Sequence, residues 1–173
     1  MYPNEFIKYL MHFHGDHDYF ECHEILEEYW KKVDSGNKES IWVGFILLAV
    51  SLYHHRRGNF KGAIRTMEKA SKIFLTQIEA IRRLGIEDSL LLGEMNNRLS
   101  SMHLKVGYTN FKIPLKDPEL NILCISICKQ HDMVWCDDGL PPNHIINRHS
   151  SRDRSDVIKE RELALREKSK GSE

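Results

Sequence analysis

Residues 47–70 read LLAVSLYHHRRGNFKGAIRTMEKA, and this stretch decides the fold. Apolar residues recur at helical spacing on both sides of Gly58–Asn59. Glycine supplies the left-handed backbone that ends one helix, and asparagine caps the next. The stretch therefore predicts a helical hairpin. Its first helix runs from Ile41 to about Arg57 and is capped by Ser40. Its second runs from Phe60 to about Leu84 and is stopped by Gly85. Ala63 and Ala70 are small enough to let the two helices approach closely. The most apolar segment, Ile41–Leu52, has twelve residues. That is short of the roughly 20 needed to cross a bilayer, so it reads as a helix buried on most sides.

Working outward, Phe6, Tyr9, Leu10 and Phe13 predict a helix that starts near Pro3 and ends at Gly15. Asp18 and Glu21 form a capping box for a second helix, with Cys22, Ile25, Leu26, Tyr29 and Val33 on its apolar stripe. After the hairpin, Asp88 caps a helix bearing Leu91, Leu92, Met95, Leu99, Met102 and Val106. Residues 107–115 alternate weakly and read as extended or irregular. Asp117–Pro118–Glu119 starts a sixth helix, which fades near His131. The fold class is all-α: an antiparallel helical bundle around a long tetratricopeptide-like hairpin, with an α-helical C-terminal appendage. Three parts are expected. Residues 1–107 form the bundle. Residues 108–148 are an extension with one helix packed on it. Residues 149–173 are a charged, partly disordered or solvated helical tail.

The chain of 173 residues carries 25 Lys and Arg against 25 Asp and Glu, a net charge of +0. A nucleic-acid binder working by bulk charge needs a basic surplus, so no nucleic-acid partner is expected. No membrane partner is expected either, while a protein partner or homo-oligomer stays open. The start, Met1–Glu5, lacks a basic region followed by an apolar stretch, so a cytoplasmic location and reduced thiols are expected. None of the four cysteines forms a Cys-x-x-Cys.

Two resemblances follow. Gly58, Ala63, Met67 and Ala70 stand where a tetratricopeptide repeat places its turn glycine and packing residues. No second copy follows at a spacing of about 34 residues, so a solenoid is not expected. Residues 18–30, DYFECHEILEEYW, with Tyr53-His-His-Arg-Arg-Gly-Asn59 and Gly62-Ala63, look like the bacterial domain-of-unknown-function family 309 over about residues 5–85. That resemblance implies a small all-helical cytoplasmic protein. Members of the family are sometimes labelled predicted metal-dependent hydrolases.

The candidate chemistry lies on residues 23–27, His-Glu-Ile-Leu-Glu. His23 and Glu27, at i and i+4, point to one spot. The string is similar to the zincin pattern H-E-x-x-H with Glu27 in place of the second histidine. The expected ligands are His23 and Glu27, with His54 or His55 from the hairpin as the third, and Glu24 as general base. One or two imidazoles with carboxylates suit a divalent metal: zinc, manganese or iron. Metal-dependent hydrolysis is the best enzymatic hypothesis. The alternative is a non-enzymatic interaction or scaffold module in which Glu24, Glu27 and Glu28 simply pair with Arg56 and Arg57. Two weaker sets stand beside it. Cys124, Cys128, His131 and Cys136 make a sensible zinc set whose spacing matches no common module. His12, His14, Asp16, His17 and Asp18 crowd one interhelix loop.

Overall fold

The computed structural model describes residues 1–148; the expected tail, 149–173, lies outside the described residues. The described residues form eight helices and no strand. They are α1 (Asn4–His14), α2 (Tyr19–Val33), α3 (Ile41–Arg56), α4 (Phe60–Thr76), α5 (Ile78–Arg83), α6 (Asp88–His103), α7 (Pro118–Gln130) and α8 (Asn143–Ile146). The fold is all-α, as the periodicity predicts. The hairpin α3–α4 is its centre. α2 packs on α3, α6 packs on α4, and α1 packs on α2 and α7.

Capping side-chain hydrogen bonds set four of the eight helix starts. Asp18 accepts from the Glu21 amide, Ser40 from Trp42, Asn59 from Gly62, and Asp117 from Glu119 and Leu120. Each satisfies amides that have no partner within the helix. Two starts and stops differ from expectation. Asp88 is the first residue of α6 rather than its cap, and its carboxylate pairs with Arg82 at 2.9 Å. The long helix expected from Phe60 to Leu84 breaks at Gln77. There Thr76 Oγ1 bonds back to the Ile73 carbonyl at 2.8 Å, and the Gln77 amide side chain donates to the Glu39 carbonyl at 3.0 Å. A partner 38 residues away thus holds Gln77 out of the helix, at φ −117°. Residues 107–115 contribute one isolated bridge, Leu115 to Ile86. Arg98 tethers this segment by donating to Thr109 and Asn110.

α3 is buried on several sides because three helices cover it. Phe6, Tyr9, Phe13, Phe45 and Phe74 interlock in its core, with Phe45 and Phe74 ring centroids 4.8 Å apart. Ser51, fully buried, donates to the Ala63 carbonyl at 2.7 Å and so ties α3 to α4. The hairpin closes tightly at Gly44, where a Cβ would stand 2.5 Å from Phe74 Cε1. Phe74 cannot retreat, since Phe45 packs behind it. Gly44→Ala is expected to destabilise the protein by about 1–3 kcal/mol through overpacking, although alanine is the better helix former. Urea unfolding measures this. An unchanged or higher midpoint would show that the ring can move aside.

Candidate functional site

A cleft of about 390 Å³ opens between α2 and the α3–α4 corner. Tyr19, Phe20, His23 and Glu24 line one wall; Val50, Tyr53, His54, Arg57 and Asn59 line the other. The two sequence motifs, some 30 positions apart, therefore face each other. The size is that of an ordinary small-molecule site.

On the α2 wall, His23 is gripped from both ring nitrogens. Glu24 Oε1 lies 3.1 Å from Nδ1 and Glu27 Oε2 lies 3.2 Å from Nε2. Suitable ligand atoms of His23, Glu24 and Glu27 all lie within 4.8 Å of one another. No other set of three His, Cys, Asp or Glu among the described residues comes close enough to hold a metal ion. Glu27 also takes Lys31 Nζ at 2.7 Å, an i,i+4 pair. That bond, with help from His23 and against partial burial, holds the Glu27 carboxyl below the usual range.

The hairpin histidines part company. His54 faces the cleft. His55 is buried on the other side, against Phe60 and Tyr108, with Nε2 donating to the Val106 carbonyl at 2.8 Å. Neither belongs to the close donor set. His54 is held by Asn59, whose Oδ1 accepts from the Gly62 amide at 3.0 Å. Asn59 therefore presents its Nδ2 donor to His54 Nδ1, 3.1 Å away.

The arginines bond differently from the expected glutamate pairing. Arg56 lies over the Tyr19 ring, 4.8 Å from its centroid, and donates to the His17 carbonyl at 2.8 Å. Arg57 lies over Tyr53 and donates to Asn147 Oδ1 at 3.2 Å. The neighbouring Arg148 pairs with Asp18 and with Glu21 and covers the Phe20 ring. The C-terminal extension thus reaches both walls at the cleft mouth. No signal in the sequence pointed to these contacts, which join residues 90 and 130 positions apart.

The weaker sets stay apart. Cys124 and Cys128 are core residues, and burial pushes their thiols up to about 12 and about 11. Neither thiol belongs to a donor group close enough to hold an ion among the described residues. His131 is exposed, and the Cys136 thiol hydrogen-bonds His14 Nδ1 at 3.5 Å. His12 pairs with Asp16 at 3.0 Å, and His17 bridges the carbonyls of Phe13 and Asp137. Among the described residues no helix is long and apolar enough to cross a membrane.

Comparison with known proteins places these motifs. The family model described as domain of unknown function (DUF309) matches residues 6–66, a span that holds both walls of the cleft. It stops short of the expected residue 85. The uncharacterised protein YpuF of Bacillus subtilis (strain 168) is 40% identical over 171 residues, covering 98% of each chain. That likeness includes the C-terminal extension. No solved structure matches the chain. With both cleft-forming motifs inside the matched region and a relative alike along nearly its whole length, the chain belongs to the DUF309 family, whose function is unknown.

Proposed function

We propose that the α2–α3 cleft is a hydrolytic site that works with a divalent metal ion. The observation that carries this is the donor set: one imidazole and two carboxylates within 4.8 Å, at the edge of a cleft. His23 Nε2 and Glu27 Oε2 stand 3.2 Å apart. Adjacent ligands on an ion with bonds of about 2.0–2.2 Å have that separation. The mixed nitrogen and oxygen set suits zinc, manganese or iron. A divalent ion held there would supply Lewis acidity and lower the pKa of water for hydrolysis.

The chain's own groups do the rest. Glu24 accepts from His23 Nδ1, which orients the ring and leaves Nε2 toward Glu27, the arrangement by which a carboxylate steers a ligating histidine. Glu24 also faces the cleft, where it is placed to take a proton from attacking water. His23 and Glu27 are the proposed ligands. His55 is excluded by its bond to Val106. His54 is not among the close donors, and its Nδ1 faces the Asn59 side-chain amide at 3.1 Å.

Elemental analysis of protein purified without a metal-affinity column tests the proposal. About one equivalent of transition metal is expected. His23→Ala should weaken Mn²⁺ binding by ~100-fold or more, since removing even an outer partner costs 10–100-fold. Its circular dichroism should stay unchanged, because His23 is partly exposed. Protein that takes up no zinc, manganese or iron at micromolar concentration would leave the cluster as a surface ion network closed by Lys31.

A further inference from the structure

Helix α7 packs on α1 and turns its other side outward. Leu120, Cys124 and Cys128 recur every four residues, are buried, and make its inner stripe. On the opposite stripe Glu119, Ile122, Ser126 and Lys129 stand at helical spacing, and all four are exposed. Ile122 is 66% exposed, and Leu123 and Ile125, on its two flanks, are 41% and 43% exposed. Three exposed aliphatic side chains on one turn make a contiguous apolar patch, not scattered residues. On the Leu123 flank the patch runs into a groove of about 610 Å³ between α7, α1 and α2, lined among others by Met11, Ile25 and Ile127.

The order of residues along the outer stripe says what covers it. Cys124 marks its midpoint: Glu119 and Lys129 lie five residues to either side, Ile122 and Ser126 two. At 1.5 Å per residue the two charges stand about 15 Å apart along the helix. A two-fold axis across α7 at Cys124 lays a second copy on it in the reverse direction. Each end of that antiparallel pair then sets Glu119 of one copy against Lys129 of the other. Ile122 lies over Ser126 of the other copy, and the small serine lets the helices approach closely. Leu123 meets its own counterpart on one flank, and Ile125 does so on the other. A parallel pair would set Glu119 on Glu119 and Lys129 on Lys129, like charges that repel. A face complementary to itself under a two-fold is what an isologous dimer requires. An unrelated partner would not need acid and base placed symmetrically about the apolar centre.

We propose that α7 is a homodimer interface: two copies pack antiparallel through Ile122, Leu123 and Ile125, with Glu119 and Lys129 closing both ends. This face shares no residue with the lining of the α2–α3 cleft, so the dimer stands or falls independently of the metal. The groove beside Leu123 widens the contact beyond one pair of helices. An interface of this size belongs to the weak class, with a dissociation constant on the order of 10 μM.

Sedimentation velocity of the full-length protein in EDTA, at concentrations well below and well above that value, reads the equilibrium. Wild type should pass from monomer to dimer as concentration rises. Ile122→Lys should weaken dimerisation by about 30-fold or more, the effect of losing a central contact, here from both copies at once. Its unfolding midpoint should not fall, since Ile122 is exposed. Glu119→Lys and Lys129→Glu should each weaken dimerisation by about 10-fold, because both ends then hold like charges. An equal mixture of these two variants should dimerise again, since each end then sets lysine against glutamate. A parallel dimer, or one built on another face, would show no such rescue. Circular dichroism checks that every variant stays folded. A wild type monomeric at every concentration leaves the α7 face to a different protein and overturns the proposal. Ile122→Lys dimerising as tightly as wild type, or a mixture no tighter than the single variants, overturns it as well.

Discussion

Phe45→Ala is expected to lower the unfolding free energy by about 3–5 kcal/mol, the usual cost of emptying a buried phenylalanine site. Phe45 is fully buried where α1, α3 and α4 meet. Its ring packs against Phe6, Tyr9 and Phe74 at centroid distances of 5.5, 5.7 and 4.8 Å. Those rings are held on two helices, α1 and α4, that both pack on α3, so the cavity cannot collapse without moving the bundle. The Tyr9 hydroxyl donates to the Phe45 carbonyl, a bond that alanine keeps, so the loss is packing alone. Against a typical total of about 5–15 kcal/mol, this is a large share. A melting temperature lower by roughly 10 °C is the matching thermal readout. Phe45→Leu should lose clearly less. If alanine and leucine cost the same small amount, the aromatic cluster is not the keystone of the fold.

The second large effect comes from acid. His14 is almost fully buried, its ring against Trp135 with centroids 4.5 Å apart, and among the described residues its Nε2 has no partner. Burial, aided by the positive fields of His17 and Lys112, pushes its pKa down to about 3 from 6.5. The native ring therefore stays neutral, whereas the unfolded chain takes up a proton below pH 6.5. Stability is present in full above that pH and is lost as the pH falls from about 6.5 to about 3. The slope is up to about 1.4 kcal/mol per unit, for a total of about 4–5 kcal/mol. His55 acts in the same direction, its pKa lowered chiefly by burial. His12 acts the other way: burial opposes its charge, but the Asp16 hydrogen bond prevails and raises its pKa. That contribution holds below pH 6.5 and fades above the raised value. Urea midpoints at pH 6.5 and 4.5 should differ by about 2–3 kcal/mol more in wild type than in His14→Phe. Parallel profiles for the two proteins would remove His14 from the acid response.

Local rules made much of this molecule legible from sequence. The caps Asp18, Ser40, Asn59 and Asp117 bond amides two or three residues ahead, a distance at which the chain has few alternatives. The hairpin follows from Gly58–Asn59 and the small residues beyond it. His23, Glu24 and Glu27 share a helix face by periodicity alone, and they do converge. Where a local group has a competing distant partner, sequence was silent. Gln77 leaves its helix for Glu39, Glu21 turns from its capping box to Arg148, and Asp88 takes Arg82.

The sequence by itself determined most of the helices, the hairpin and one wall of the cleft, though not the break at Gln77 or the short α8, because helical hydrogen bonds and side-chain periodicity act over about four residues. Only the tertiary structure decided which of two adjacent histidines faces that cleft. His54 and His55 differ by about 100° around one helix. The carbonyl of Val106 and the rings of Phe60 and Tyr108 turn His55 inward, leaving His54 to Asn59 and to the cleft that Glu24 lines from the other side. Which side chain goes inward depends on the faces that neighbouring helices bury, and those faces meet only when the whole chain has folded.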